Sequence, residues 1–188
     1  SLRLSPKDVS PKDTVTCTVT ATDAAGDFGS DSASVTVENS DPVVTDVTIS
    51  SSTEYTTSAT LMCLATSTDP DGGSPSVSYE WTLGTSTVLG TGDTLTLTPT
   101  KVAPGDPVKC TATVTDVDGG TGTGSNTVQL KNTAPVVTSV LVTPVTGVTT
   151  GSKLTCSASA SDADGGTPTL TYEWTTSGGS ALGAGTTL

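Results

Sequence analysis

The sequence of 188 residues has no histidine and one methionine, and its aromatic residues are two Trp, three Tyr and one Phe. Its 7 lysines and arginines are outnumbered by 19 aspartates and glutamates, which gives a formal net charge of −12. Nucleic-acid phosphates require clusters of Lys and Arg, so this composition argues against nucleic acid as a partner. No apolar run approaches the length of a membrane span. The charge indicates a solvated surface, or one that collects cations.

Catalytic patterns are missing as well. Without histidine, no Ser or Cys lies beside a plausible base, and no Gly-rich loop opens a helix. Pairs of acids occur, but glycosidase chemistry needs one carboxyl in a shielded cleft, and these acids fall in turn sequences. We therefore expect that the chain is not an enzyme.

The sequence repeats itself. A shift of 93 positions aligns it on itself without a gap, so that Cys63 falls on Cys156, Trp81 on Trp174 and Cys17 on Cys110. A repeat of this kind is typical of tandem arrays, and its period suits a small domain. We expect one complete unit at residues 42–134, the C-terminal half of a unit at 1–41 and the N-terminal half of another at 135–188.

Apolar residues alternate with polar ones through most of the complete unit, which predicts strands. Thr and Val favour strands, while Gly and Asp favour the turns between them. The pattern predicts about seven strands and no helix. Its expected inward residues are Val43, Val47, Ile49, Ala59, Leu61, Cys63, Ala65, Val77, Tyr79, Trp81, Leu95, Leu97, Val108, Cys110, Ala112, Val114, Val128 and Leu130. The predicted fold class is all-β, with two antiparallel sheets packed face to face.

Two families share motifs with this pattern. Cys63, Trp81 and Cys110 resemble the core of immunoglobulin-like domains, while Asp69-Pro70-Asp71-Gly72-Gly73 and Tyr79-Glu80-Trp81 resemble PKD repeats. Both are Greek-key sandwiches, and PKD repeats occur in tandem on large surface proteins of bacteria and archaea. Two features depart from these families: Val108 replaces the tyrosine of the immunoglobulin tyrosine corner, and the Trp-Asp-Phe-Gly-Asp-Gly run of PKD repeats is absent.

The resemblance implies a disulfide from Cys63 to Cys110 that joins the two sheets, with Trp81 packed on it. It places Tyr79, Trp81 and their repeat equivalents Tyr172 and Trp174 in the core. Cys17 and Cys156 are then expected to pair outside this segment or in a neighbouring copy. Disulfides imply an oxidising, extracellular or cell-surface location. Buried free thiols in a cytosolic protein are the alternative.

Acidic residues cluster in the segments expected at one end of the sandwich. Hard oxygen ligands that converge there would suit Ca²⁺. The alternative is that Asp-Gly pairs are turn formers whose charges are solvated. The candidate calcium ligands are Glu38, Asp41, Asp69, Asp71, Asp116, Asp118, Asp162 and Asp164, and no other cofactor is expected.

Three apolar residues occupy strand positions that are expected to face outward, because they alternate with the expected core residues. Met62 and Leu64 share a strand with Cys63 but point the opposite way, and Leu141 is outward where the preceding copy has Thr48. Isolated exposed apolar residues are common in proteins. The more specific hypothesis is that these residues form a lateral contact between arrays.

The repeat recurs with few departures, whereas selection for a single site would leave one copy different from the rest. The repetition therefore indicates a role that depends on length, stiffness and multivalency. The expected function is a structural segment of an extracellular filament, stalk or surface appendage of a prokaryote, whose partners are further copies of the repeat. The two half units are expected to be completed by neighbours, in the same chain or in another. The alternative is an adhesin or spacer stalk that presents a binding or enzymatic domain located elsewhere.

Overall fold

The computed structural model describes residues 3–188, so Ser1 and Leu2 of the expected first half unit lie outside the described residues. These residues form thirteen β-strands and no helix. The strands are β1 (Thr14–Thr22), β2 (Phe28–Thr36), β3 (Val43–Ser51), β4 (Thr60–Thr68), β5 (Ser76–Leu83), β6 (Thr87–Thr91), β7 (Thr94–Thr96), β8 (Pro107–Thr115), β9 (Thr121–Gln129), β10 (Val136–Thr143), β11 (Thr155–Ser161), β12 (Glu173–Thr175) and β13 (Ala181–Ala184).

The chain divides into two compact units. Unit 1 comprises Ser1–Ser50, Leu61–Leu95 and Val108–Val128, and unit 2 comprises Ser51–Thr60, Thr96–Pro107 and Gln129–Leu188. This division passes through residues 42–134, which were expected to form one domain. That range is fully described and contains seven strands, β3 to β9.

Unit 1 contains most of three sheets. Strands β1 and β2 form an antiparallel hairpin in which Cys17 lies opposite Ala33. The other two sheets have the strand orders β3-β4-β7 and β6-β5-β8-β9. The predicted disulfide between Cys63 on β4 and Cys110 on β8 is present and joins these two sheets. The arrangement is consistent with a β-sandwich.

The core of unit 1 follows the alternation of its strands. Val108, Cys110, Ala112 and Val114 on β8 are buried, while the residues between them are partly exposed. Trp81 on β5 lies opposite Cys110 and is completely buried. Its indole nitrogen donates a hydrogen bond of 2.9 Å to the Gly92 carbonyl oxygen, so the ring is enclosed without an unsatisfied donor.

Two expected core residues are exposed. Val43 was predicted to share a face with Val47, but Val44 and Val47 both approach Gly124, and Val43 is 54% exposed. Side chains three positions apart share a face only if the strand carries an irregularity, such as a β-bulge, that shifts its alternation by one residue. Val77, next to the start of β5, is also exposed.

Unit 2 contains two antiparallel pairs, β10-β11 and β12-β13. Strand β10 carries a register shift between Val137 and Ser139, the repeat equivalents of Val44 and Asp46. Trp174 on β12 donates its indole N–H to the Gly185 carbonyl oxygen at 2.9 Å, the same bond that Trp81 makes 93 residues earlier. Lys131 forms an exposed ion pair of 2.5 Å with Glu54.

Within the described part of the chain, no helix has the length and apolar character needed to cross a membrane.

Candidate functional site: carboxylate clamps at two junctions

The candidate site is built around two short linkers. The first junction is Glu38-Asn39-Ser40-Asp41, which follows β2, and the second is Lys131-Asn132-Thr133-Ala134, which follows β9. The two are 93 residues apart. All contacts of the first lie within unit 1, and all contacts of the second lie within unit 2.

At the first junction, Asp71 binds the linker. Its carboxylate accepts the backbone N–H of Ser40 at 2.5 Å and the Ser40 hydroxyl at 3.3 Å. Asp69 holds the same turn from inside, because its Oδ1 accepts the backbone N–H of Asp71 at 2.9 Å. The two aspartates therefore have different roles: Asp69 stabilises the turn between β4 and β5, and Asp71 connects that turn to the linker by hydrogen bonds.

The second junction has the same arrangement. The Asp164 carboxylate accepts the backbone N–H of Thr133 and, at 3.4 Å, its hydroxyl, while Asp162 Oδ1 accepts the Asp164 N–H at 2.9 Å. A further donor is the hydroxyl of the fully buried Thr57, at 2.6 Å. The Thr57 hydroxyl and then the Thr133 amide hold the pKa of Asp164 below its usual value. We call the Asp71–Ser40 and Asp164–Thr133 contacts the carboxylate clamps.

Asp116 binds the first junction from the turn between β8 and β9. Its Oδ2 accepts the Asn39 side-chain amide at 2.9 Å, and its Oδ1 accepts the backbone N–H groups of Asp118 and Gly120 at 2.9 and 2.8 Å. The Asn39 amide is the main cause that lowers the pKa of Asp116. These donors stabilise the ionised carboxylate.

Gly120 allows this close approach. A Cβ at this position would lie 2.5 Å from Asp116 Oδ2 and 2.6 Å from both Asn39 Nδ2 and Asp41 Oδ1. Any side chain here would separate Asn39 from Asp116. Gly120 is therefore part of the junction both through its backbone N–H, which donates to Asp116, and through its lack of a side chain.

Asp118 forms an ion pair of 2.5 Å with Lys12, whose side chain is 77% exposed. The hydrogen bond to Asp118 raises the pKa of Lys12. Lys12 has a φ of 74°, a conformation that favours glycine, and Gly105 has it 93 residues later with a φ of 88°. Both residues donate their backbone N–H to a carbonyl oxygen, that of Val37 or Leu130. The same backbone turn therefore occurs at Lys12 and at Gly105, but only Lys12 supplies a cation there.

The predicted calcium ligands are placed as follows. Asp71, Asp116 and Asp118 lie at the first junction and Asp164 at the second, each bound to protein donors, while Glu38 and Asp41 are exposed. Among residues 3–188, no group of three or more His, Cys, Asp or Glu side chains is placed to hold a metal ion. Calcium binding stays a prediction.

The other predicted site residues lie apart from the junctions. Cys17 is exposed and Cys156 partly exposed, and both are free thiols. Met62, Leu64 and Leu141 are each more than half exposed. Their proposed lateral contact has no partner in a single chain and stays a prediction.

Three participants in the junctions were not predicted. Thr57 lies in a long Thr and Ser stretch without a distinguishing pattern, and Lys12 is an isolated cation in a turn. Gly120 resembles any turn glycine. A signal did exist for the linker donors, since position 40 and position 133 both carry a hydroxyl.

No protein-family model matches the chain, and a search of curated proteins finds no significant match.

Proposed function

We propose that the chain is a structural segment of an extracellular filament, stalk or surface appendage, built from a tandem array of disulfide-pinned immunoglobulin-like domains. The observation that carries the proposal is the recurrence of the carboxylate clamp. Asp71 binds Ser40 and Asp164 binds Thr133 through the same atoms, 93 residues apart. A linker that is held in the same way at successive steps suits an array with a regular geometry.

The strand order supports the immunoglobulin-like part of the proposal. In residues 42–134, the strand orders β3-β4-β7 and β6-β5-β8-β9 are compatible with Greek-key connections. The disulfide joins the second strand of this range to the sixth, and Trp81 lies on the third. In immunoglobulin domains the disulfide and the buried tryptophan occupy corresponding strands.

Local geometry recurs between the copies. The Trp81 and Trp174 indoles donate to carbonyl oxygens eleven residues later, and Lys12 and Gly105 adopt the same left-handed turn despite their different side chains. Contacts that recur from copy to copy favour a structural role over a single binding site.

The clamps explain how the array would be stiffened. A linker residue whose N–H and hydroxyl both bind one carboxylate loses rotational freedom about its own backbone. Hydrogen bonds to an ionised carboxylate are stronger than neutral ones. Each clamp therefore limits bending between a linker and the turn that follows it along the chain.

The disulfide supports the extracellular location. Such bonds persist in oxidising compartments and are rare in the cytosol of most organisms. The Cys63 and Cys110 side chains are both almost completely buried, so the bond is part of the core.

Force spectroscopy of the native, unproteolysed protein tests the array. A unit of 93 residues extends by about 33 nm at roughly 3.5 Å per residue, before the length of the folded unit is subtracted. With the disulfide intact, the 47-residue separation stays locked and the extension falls to about 16 nm. We expect equal steps that lengthen about twofold under reductant. Irregular steps would contradict a tandem array, and saturable binding of a glycan or receptor by these units would favour the adhesin alternative.

A further inference from the structure

We propose that each repeat docks directly on the repeat before it in the same chain. The turn that precedes β5, or β12 in the following repeat, receives a proline-containing turn of the preceding repeat. The inference rests on the array proposed above and deepens it, because it names the surfaces through which neighbouring repeats recognise each other. The carboxylate clamps hold the linkers, whereas these surfaces join the bodies of the repeats.

The first surface is the turn that carries the clamp aspartate. We call residues 69–73 and their equivalents 162–166 the docking turns. Gly72 and Gly165 each donate their backbone N–H to the carbonyl oxygen of the first aspartate of the turn, at 3.1 and 3.2 Å. Their φ angles are 89° and 88°, a conformation that favours glycine. The docking turn therefore keeps one backbone shape in both copies.

The second surface is a turn that lies ahead of β1 in one copy and ahead of β8 in the next. We call residues 5–8 and 98–101 the proline turns. In both, the carbonyl oxygen of the first residue accepts the backbone N–H of the fourth at 2.9 Å. The second residue is Pro6 or Pro99, at a position where the fixed φ of proline favours a turn. The other three side chains differ between the copies, so the turns share their backbone shape and the proline.

The two kinds of turn are in contact at both junctions. A Cβ placed on Gly72 would lie 3.8 Å from the Cβ atom of Pro6, and a Cβ placed on Gly165 would lie 3.8 Å from that of Pro99. These are van der Waals distances, so each proline lies beside the glycine of the docking turn. The first pair lies within unit 1 and the second within unit 2. Two surfaces that each recur therefore also meet in the same way 93 residues apart.

Polar contacts that bypass the linkers accompany each pair of turns. At the first junction, Lys12 of the preceding repeat binds Asp118 of the following one at 2.5 Å. At the second, the hydroxyl of the buried Thr57 donates to Asp164 at 2.6 Å. These donors differ between the junctions, and an exposed ion pair such as that of Lys12 contributes little stability. The proline and docking turns, rather than these donors, set the geometry of the joint.

Residues 42–134 contain one turn of each kind, the docking turn at 69–73 and the proline turn at 98–101. A domain with two different surfaces that fit each other joins its neighbours head to tail, and the same contact can be repeated along an array. Direct docking therefore supplies the stiffness that the proposed structural role requires.

An engineered disulfide in the 188-residue chain tests the contact. The Cβ distance of 3.8 Å equals the mean value for disulfides, so Pro6→Cys/Gly72→Cys should become cross-linked. The background carries Cys17→Ala and Cys156→Ala, which leaves the bonded Cys63 and Cys110 as the only other cysteines. Cross-linking is measured in a glutathione buffer, in which two thiols and one oxidised glutathione give one protein disulfide and two reduced glutathiones.

The effective concentration of the two thiols distinguishes a docked joint from a loose one. A short flexible linker gives values in the millimolar range, and the docked joint should exceed them by at least about tenfold. Pro6→Cys/Gly84→Cys is the matched control and should stay reduced, because Gly84 also has a positive φ, of 61°, but follows the far end of β5. An effective concentration in the millimolar range or below for Pro6→Cys/Gly72→Cys would overturn the proposal.

Residual dipolar couplings of the parent chain test the docking without any substitution. The amides of β1 and β2 belong to one repeat and those of β5 and β8 to the next, and all of them lie within unit 1. A docked joint requires one alignment tensor to fit both sets of couplings. Tensors that differ in magnitude or orientation would overturn the proposal.

These measurements and the force-extension steps of the native array can fail separately. Equal steps together with a loose joint would refute direct docking and leave a tandem array of undocked repeats. A tight joint together with irregular steps would support the docking of neighbouring repeats and refute the regular array.

Discussion

Removal of the disulfide that joins the two sheets should strongly destabilise the complete unit. The parent for this test carries Cys17→Ala and Cys156→Ala, so that Cys63 and Cys110 are its only cysteines. The sequence separation of 47 sets the chain entropy that the bond removes from the unfolded state. The chain-entropy relation gives about 4 kcal/mol for a loop of this size. Cys63→Ala/Cys110→Ala should lose roughly that amount.

Urea unfolding measures the loss. With an m-value of about 1–3 kcal/mol/M, a loss of that size lowers the midpoint by roughly 1.3 to 4 M. Trp81 is a suitable probe because it is completely buried beside the disulfide and changes its environment on unfolding. Trp174→Phe in all variants leaves Trp81 as the only tryptophan.

The reduced parent is the matched control and should unfold at nearly the same urea concentration as the double alanine variant. A midpoint that falls by less than about 0.3 M, with the m-value unchanged, would refute the chain-entropy argument, since the calculated loss is several times larger. A fall in m would instead indicate a more compact unfolded state, whereas a rise is expected because loss of the cross-link lets the unfolded chain expand.

Three further predictions concern the junctions. Gly120→Ala should push Asn39 away from Asp116 and destabilise the protein by about 1–2 kcal/mol in urea unfolding, whereas Gly29→Ala, where a Cβ meets no atom within 4 Å, should change it little; equal effects would contradict the contact argument. The lowered pKa values of Asp116 and Asp164 mean that their ionised forms favour the folded state. Their contribution should be complete above about pH 4 and disappear as the pH falls through the lower folded values, so thermal melts should show stability declining only in acid; a decline that begins near neutrality would contradict the assignment. Asp164→Asn should abolish its share of this acid dependence while melting lower than the parent at pH 7, and the two melting temperatures should converge in acid; parallel curves would show that the clamp does not depend on charge.

Strand positions could largely be predicted from alternation, because side chains on a strand alternate strictly between two faces. Strand β8 illustrates this, with Val108, Cys110, Ala112 and Val114 all buried as expected. Val43 shows the limit. Val44, not Val43, approaches Gly124 together with Val47, and no residue type marks this change of alternation in the sequence.

The location of the junctions could be predicted, because acidic residues of the turns do lie at the linkers. The hydrogen bonds that Asp71 and Asp164 accept from Ser40 and Thr133 were not predicted, and calcium binding by these carboxylates stays a prediction. Composition alone cannot distinguish these roles, since a carboxylate binds N–H groups and cations with the same oxygens. Thr57 could not be found at all, because its contact depends on the three-dimensional path of the chain.

The central claim, that the chain belongs to a regular structural array, is tested most directly by electron microscopy of the native, unproteolysed material. The account predicts ordered filaments or stalks whose axial spacing matches one or two sandwich units. Flexible beads without helical or lateral order would contradict it, and would mean that the clamps at Asp71 and Asp164 do not stiffen successive units.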